Sequence, residues 1–155
     1  MMTRILIVED DEYKTRQLRG FVEDRYREAS IVLTESLQGG LRNLMKAPFD
    51  LVLLDMSIPN YDPGPEEPGG TSYVRGGQEL LREMQLYEIL VPVIVVTQYD
   101  SFGTGKERVS LEDLDAELRA DHGDLYYGAV YYNSALQSWK EQLETLMSAA
   151  LAARS

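Results

Sequence analysis

Three acids in a row, Glu9, Asp10 and Asp11, follow the apolar run Ile5-Leu6-Ile7-Val8, and a further acid, Asp55, follows Leu51-Val52-Leu53-Leu54. A hydroxyl, Thr97, follows Val93-Ile94-Val95-Val96. Short unbroken apolar runs rich in β-branched residues predict strands buried on both faces. If these strands lie side by side in one parallel sheet, Asp10, Asp11, Asp55 and Thr97 converge at its carboxyl edge, where open α/β sheets bind their ligands. Carboxylates gathered in one pocket repel, and each is driven toward its protonated form unless a cation neutralises the set. Mg²⁺ suits such a set, because it takes hard oxygen ligands, keeps waters and is commonly held by one or two carboxylates plus a phosphate. A single acid at a strand end is ordinarily a solvated loop residue. Acids closing two strands, with a hydroxyl closing a third, are poorly explained that way.

The elements that must position these residues are legible as well. Ile31-Val32-Leu33 is a weaker strand, and the tyrosine-rich stretch from Tyr126 to Tyr132 is a final one. Between the strands, apolar residues recur at helical spacing: Leu18, Phe21, Val22 and Tyr26; then Leu37, Leu41, Leu44 and Met45; then Leu80, Leu81, Met84 and Tyr87. Leu111, Leu114 and Leu118 mark a fourth helix, and Leu136, Trp139, Leu143, Leu146 and Met147 a last one. Ser110 with Asp113, and Ser134 with Gln137, read as helix starts with a capping side chain. Strict β-α alternation predicts a parallel sheet with right-handed crossovers and helices on both faces. The whole chain, 1–155, reads as one domain with no separate output domain. The stretches at about 60–77 and 101–109 are too long for simple connections and are expected to hang over the pocket. His122, in the polar stretch Asp121-His122-Gly123-Asp124, reads as a surface residue.

Composition removes several alternatives. The formal net charge of −11 argues against direct binding of nucleic acid or of an anionic membrane. There are no cysteines and one histidine, so thiol chemistry and sites needing two imidazoles are excluded. No apolar run approaches the ~20 residues that span a bilayer, and the start has no signal-peptide character, so a cytoplasmic protein without membrane insertion is expected. The spacing around Gly105-Lys106 does not fit a P-loop, no Gly-x-Gly-x-x-Gly follows the first strand, and Ser57 stands where a haloacid-dehalogenase-type phosphatase needs a second acid.

Together these segments resemble the receiver domains of two-component response regulators. Ile5-Leu6-Ile7-Val8-Glu9-Asp10-Asp11 resembles that family's first strand and acidic pair. Leu53-Leu54-Asp55-Met56-Ser57-Ile58-Pro59 resembles its phospho-acceptor segment, and Val95-Val96-Thr97 its switch threonine. The resemblance implies a flavodoxin-like five-stranded parallel sheet of order 2-1-3-4-5. It implies that Asp55 takes a phosphoryl group from a histidine kinase or histidine phosphotransfer protein, beside Mg²⁺ held by Asp10, Asp11, Asp55 and the Ser57 carbonyl. Thr97 would turn its hydroxyl to the phosphoryl group. The chain would signal by protein contact rather than turn over an outside substrate, and its aromatic last strand, at the sheet edge, could also pair two copies as a homodimer.

One departure stands out. The family ends its last strand with a lysine that contacts the phosphoryl group, and here Tyr132 takes that place within about one residue. A phenol can donate one hydrogen bond but no charge. The missing charge is expected to come, on activation, from Lys106 or Arg108 on the 101–109 stretch, with Arg75 as a second candidate. Without any replacement, the alternative is a degenerate receiver that acts as a constitutive protein-interaction module.

Overall fold

The computed structural model describes residues 2–60, 76–103 and 105–154. Strands β1 (Arg4–Val8), β2 (Ser30–Thr34), β3 (Leu51–Leu54) and β4 (Val93–Thr97) alternate with helices α1 (Glu12–Arg25), α2 (Leu37–Lys46) and α3 (Gly76–Leu86). Two short strands follow, β5 (Ser101–Phe102) and β6 (Val109–Ser110), then α4 (Leu111–His122), β7 (Tyr126–Tyr131) and α5 (Ser138–Arg154). The main sheet has five strands in the order β2-β1-β3-β4-β7, all parallel. Since β7 is its fifth strand in chain order, this is the expected 2-1-3-4-5 arrangement.

The sheet is buried on both faces because its central strands are apolar at every position but Arg4, where β1 begins, and Thr97, where β4 ends, and successive side chains point to opposite sides. Leu6, Val8, Val52, Leu54, Val93 and Val95 pack on one face with Leu37, Leu44, Leu80, Leu81, Met84, Leu114 and Leu118 from α2, α3 and α4. Ile5, Ile7, Leu51, Leu53, Ile94 and Val96 pack on the other with Leu18, Phe21 and Val22 of α1 and Trp139, Leu143 and Met147 of α5. The edge strand carries a bulge: Val93 pairs with Tyr126 but Ile94 with Gly128, so Tyr127 is an extra residue. Gly128 has φ 149°, a conformation open to glycine, and an added Cβ there would meet the Leu146 side chain at 3.0 Å.

Several expectations need correction. The 101–109 stretch is not a plain loop: β5 and β6 pair antiparallel around a short 3₁₀ turn at Gly105–Glu107. Most of the 60–77 loop lies outside the described residues, and Gly76 and Gly77 already belong to α3. Helix α5 starts at Ser138, so Ser134 is not its cap, and Leu136 stands exposed ahead of it. Ser110 does cap α4, its hydroxyl accepting from the Asp113 amide. His122 is 5% exposed rather than on the surface. It lies four residues beyond Leu118, on the face of α4 that Leu114 and Leu118 bury, with Nδ1 2.7 Å from Gln85 Oε1. Burial holds its imidazole below the usual histidine range.

The start of α3 is pressed against the segment after β3. The Gly77 amide donates to the Met56 carbonyl at 2.9 Å, and a Cβ added at Gly77 would lie 2.6 Å from the Asp55 carbonyl oxygen. That contact is with backbone, so Gly77→Ala should lower stability in urea unfolding by ~1–3 kcal/mol. Gly20→Ala, in α1, meets nothing within 4 Å and should instead gain up to about 1 kcal/mol. Equal effects from the two substitutions would remove the close approach at Asp55.

Candidate functional site

Parallel pairing on both sides of β1 sets the acids. Val8 is level with Thr34 of β2 and with Leu54 of β3, so the residues just past Val8 and Leu54 emerge together. The Glu9 amide donates to the Thr34 carbonyl and the Asp55 amide to the Val8 carbonyl, both at 3.0 Å, extending the ladders by one residue. Carboxylate oxygens of Glu9, Asp10 and Asp55 all lie within 4.8 Å of one another. Glu9 and Asp55 are buried at 3% and 4% exposure, while Asp10 is exposed.

Asp11 is not brought into this set. It is the N-cap of α1, in extended backbone, with its carboxylate accepting from the amides of Tyr13 and Lys14. Its own amide donates to Glu9 Oε2 at 2.9 Å. The acidic pair beside Asp55 is therefore Glu9 and Asp10, one residue earlier than expected. The chain offers three consecutive acids, and the third is taken by the orphan amides of the helix start, which an aspartate satisfies well.

The pocket also holds a cation. Lys14, in the first turn of α1, has no exposed surface. Its Nζ forms ion pairs with Glu9 Oε1 at 2.5 Å and Asp55 Oδ1 at 3.4 Å, and donates to the Val96 carbonyl at 2.7 Å. It thus ties together the ends of β1, β3 and β4. Helical side chains lean toward the helix N-terminus, which points this one back over the strand ends. Lys14 stands four residues before Leu18 on the stripe that continues through Phe21 and Val22, all buried. That spacing is the signal in the sequence that marks Lys14 as an inward-facing lysine.

The other expected residues are placed as follows. Tyr132 is 5% exposed, its ring centroid 5.8 Å from Lys14 Nζ and 5.1 Å from the Trp139 ring. Its hydroxyl has no hydrogen-bond partner among the described residues, and burial, followed by the charges of Tyr13, Asp11 and Glu9, holds the phenol above its usual range. Thr97 is fully buried, and its hydroxyl accepts from the Tyr99 amide at 3.2 Å. Ser57 follows Asp55 in the turn after β3. Lys106 and Arg108 are exposed on the β5–β6 hairpin, where the Arg108 guanidinium donates to the Ser101 hydroxyl at 3.0 Å. Neither is the cation in the pocket. Arg75 lies outside the described residues.

The electrostatics leave the site short of positive charge. Burial pushes the Glu9 carboxyl up to about 7, against the opposing pull of Lys14 and with the push of Asp55. Burial and then the Asp55 charge also raise Asp10. With all three carboxylates ionised, which a bound cation favours, they and the one ammonium among the described residues leave two negative charges, as many as one divalent cation cancels. Among the described residues, Asp55 Oδ1 is buried with no hydrogen bond, only the longer of the two ion pairs. An all-oxygen donor set with one exposed member fits a hard cation that keeps part of its water shell, as Mg²⁺ does.

The sequence and the fold are similar to those of known proteins. The model of the response regulator receiver domain matches residues 5–115. The Detocs response regulatory protein DtcB of Enterobacter cloacae is 31% identical over 142 residues, covering 90% of this chain and 95% of that protein. A CheY-like response regulator receiver domain from Methanospirillum hungatei superposes with a TM-score of 0.61 at 21% identity, over 97% of this chain and 94% of that one. TrrA from Thermotoga maritima, solved in complex with Mg²⁺-BeF, superposes with a TM-score of 0.59 at 20% identity, over 94% and 99%. With that family model spanning most of its length and a relative of nearly equal length, the chain belongs to the response regulator receiver domain family.

Proposed function

We propose that the chain is a receiver that accepts a phosphoryl group on Asp55 from a histidine kinase or histidine phosphotransfer protein. The observation that carries this reading is the Asp55 carboxylate itself, buried at the carboxyl edge of the sheet among two other carboxylates and an ammonium. A carboxylate so placed is a nucleophile whose surroundings are set by fixed charges rather than by water. In the transfer, an Asp55 oxygen forms a bond to phosphorus as the P–N bond of the phosphohistidine breaks. The imidazole nitrogen keeps the bonding pair and leaves as neutral histidine after taking up a proton. Glu9, Asp10 and Asp55, with the Ser57 carbonyl, would hold Mg²⁺, which supplies charge stabilisation for the transferred group when bound. Thr97, at the end of β4, would exchange its acceptor role toward Tyr99 for donation to a phosphoryl oxygen. Output is by protein contact, through the face built from α4, β7 and α5. No outside substrate is turned over. No helix among the described residues is long and apolar enough to cross a membrane, which agrees with a cytoplasmic place of action.

Incubation with phosphoramidate and Mg²⁺ should add one phosphoryl group by intact mass, and Asp55→Asn should add none. Beryllofluoride should shift the amide signals of Asp55 and also of Thr97 and Tyr99. Shifts confined to the neighbours of Asp55 would favour the constitutive module instead.

The metal set gives a separate expectation. Asp10→Asn should weaken Mg²⁺ binding by roughly tenfold, the factor carried by about 1.4 kcal/mol of lost attraction. Asp11→Ala should cost about 1 kcal/mol of stability through the lost cap and leave Mg²⁺ affinity nearly unchanged. NMR-monitored Mg²⁺ titration beside urea unfolding reads both, and the reverse pattern would return Asp11 to the metal site.

A further inference from the structure

We infer that Lys14 is the cation that faces the phosphoryl group, delivered from the first turn of α1 in place of a lysine at the end of the last strand. The inference rests on the reading that Asp55 is the acceptor, and goes beyond it by assigning the missing charge to a different element of the fold. Three observations carry it. The Lys14 ammonium is fully buried and already touches the acceptor carboxylate, at 3.4 Å from Asp55 Oδ1. It is anchored on two further sides, by Glu9 Oε1 and the Val96 carbonyl, so that its remaining direction is toward Asp55. Tyr132 packs its ring 5.8 Å from the same ammonium, so the strand-end position opens onto the same space.

The charge balance gives the ammonium its role. When the Asp55 oxygen takes the phosphoryl group, the P–N bond of the donor breaks and its nitrogen leaves with the electron pair. The monoanionic carboxylate becomes an acyl phosphate carrying about two negative charges. The pocket therefore gains about one negative charge at the point nearest Lys14 Nζ. A pre-organised donor in a water-poor site stabilises such developing charge strongly. Lys106 and Arg108 would have to leave the exposed hairpin to do the same, whereas Lys14 needs only to exchange its weak contact with Asp55 Oδ1 for one with a phosphoryl oxygen.

The test separates this role from a structural one by the sign of two effects. Lys14→Met keeps most of the length of the side chain and removes the charge. With the ammonium gone, the three carboxylates carry one more uncompensated negative charge, so Mg²⁺ alone should bind several-fold tighter, by at least about threefold. Beryllofluoride binding and phosphorylation by phosphoramidate, at saturating Mg²⁺, should fall by about tenfold or more, equivalent to ~1.4 kcal/mol. Lys14→Met combined with Tyr132→Lys should recover much of the phosphorylation rate. A Lys14 that only supports the fold would weaken Mg²⁺ and beryllofluoride binding together and show no rescue. In the unaltered protein, the chain has only four lysines, so its lysine Cε signals are few. The one from buried Lys14 should shift on beryllofluoride addition while those of Lys46 and Lys106 stay in place. An unmoved Lys14 signal in protein that binds beryllofluoride overturns the inference even if Lys14→Met fails to fold. Failure of the unaltered protein to bind beryllofluoride or take phosphoryl would instead overturn the assignment of Asp55 as acceptor.

Discussion

A lysine ammonium with no exposed surface stays charged only if every direction it faces is filled by an acceptor, because removing it from water costs several kcal/mol. Lys14 meets that condition with one carboxylate from the end of β1, one from the end of β3 and one carbonyl from the end of β4. The three partners come from three neighbouring strands, so the ammonium tests the registers of the central sheet. A slip of β3 by one residue would carry the Asp55 side chain to the other face of the sheet and leave the ammonium with one buried carboxylate. The apolar core sets the strands side by side. The ion pairs fix where their ends stand relative to each other.

This placement runs against local preference. A helix start carries partial positive charge, and acids rather than bases are favoured in its first turn. Glu12 follows that preference and Lys14 does not. The conflict is confined to one residue because the cap is otherwise well made: Asp11 satisfies two of the exposed amides, and its own amide is held by Glu9. Glu9 therefore has two jobs, one oxygen on the helix entry and the other on the ammonium. A residue of that kind couples the position of α1 to the charge state of the pocket. Local rules are most often broken where a function requires it, and the conflict at Lys14 coincides with the carboxylate cluster at the strand ends.

Much of this could be read from the chain. The apolar runs of β1, β3 and β4 are unambiguous because strands buried on both faces admit no polar residue, and that alone located Asp55 and Thr97 at strand ends. The spacing in α1, α2, α3 and α4 located the faces that cover them, except that Met45 and Tyr87 are exposed and Tyr87 lies beyond the end of α3. What stayed hidden depended on register within one or two residues. Three consecutive acids can be divided into a pair and a cap in two ways, and only the start of α1 decides that Asp11 is the cap. Lys14 looked like any charged helix residue, although its distance from Leu18 put it on the buried stripe. His122 was misread for the same reason, since a polar neighbourhood in sequence says little about the face of α4 it shares with Leu118. The hairpin β5–β6 was unreadable because its strands are two residues each and carry no period.

The tyrosine at the end of the last strand follows from the lysine in the first helix. Two ammonium groups with overlapping reach would leave the three carboxylates with one net negative charge, and a divalent cation would then make the pocket positive. With Lys14 in place, the balance calls for a neutral side chain after β7. Tyr132 meets this requirement: its phenol is held above the usual range, so it carries no charge near neutrality. Its ring fills the space between the ammonium and Trp139. The absence of a strand-end lysine and the presence of a buried helical one are thus two sides of a single constraint, that the pocket holds one fixed cation among the described residues. That constraint concerns charge and volume rather than which element carries the cation. A first-turn residue of α1 can satisfy it because its side chain leans back over the same strand ends that a residue after β7 would reach.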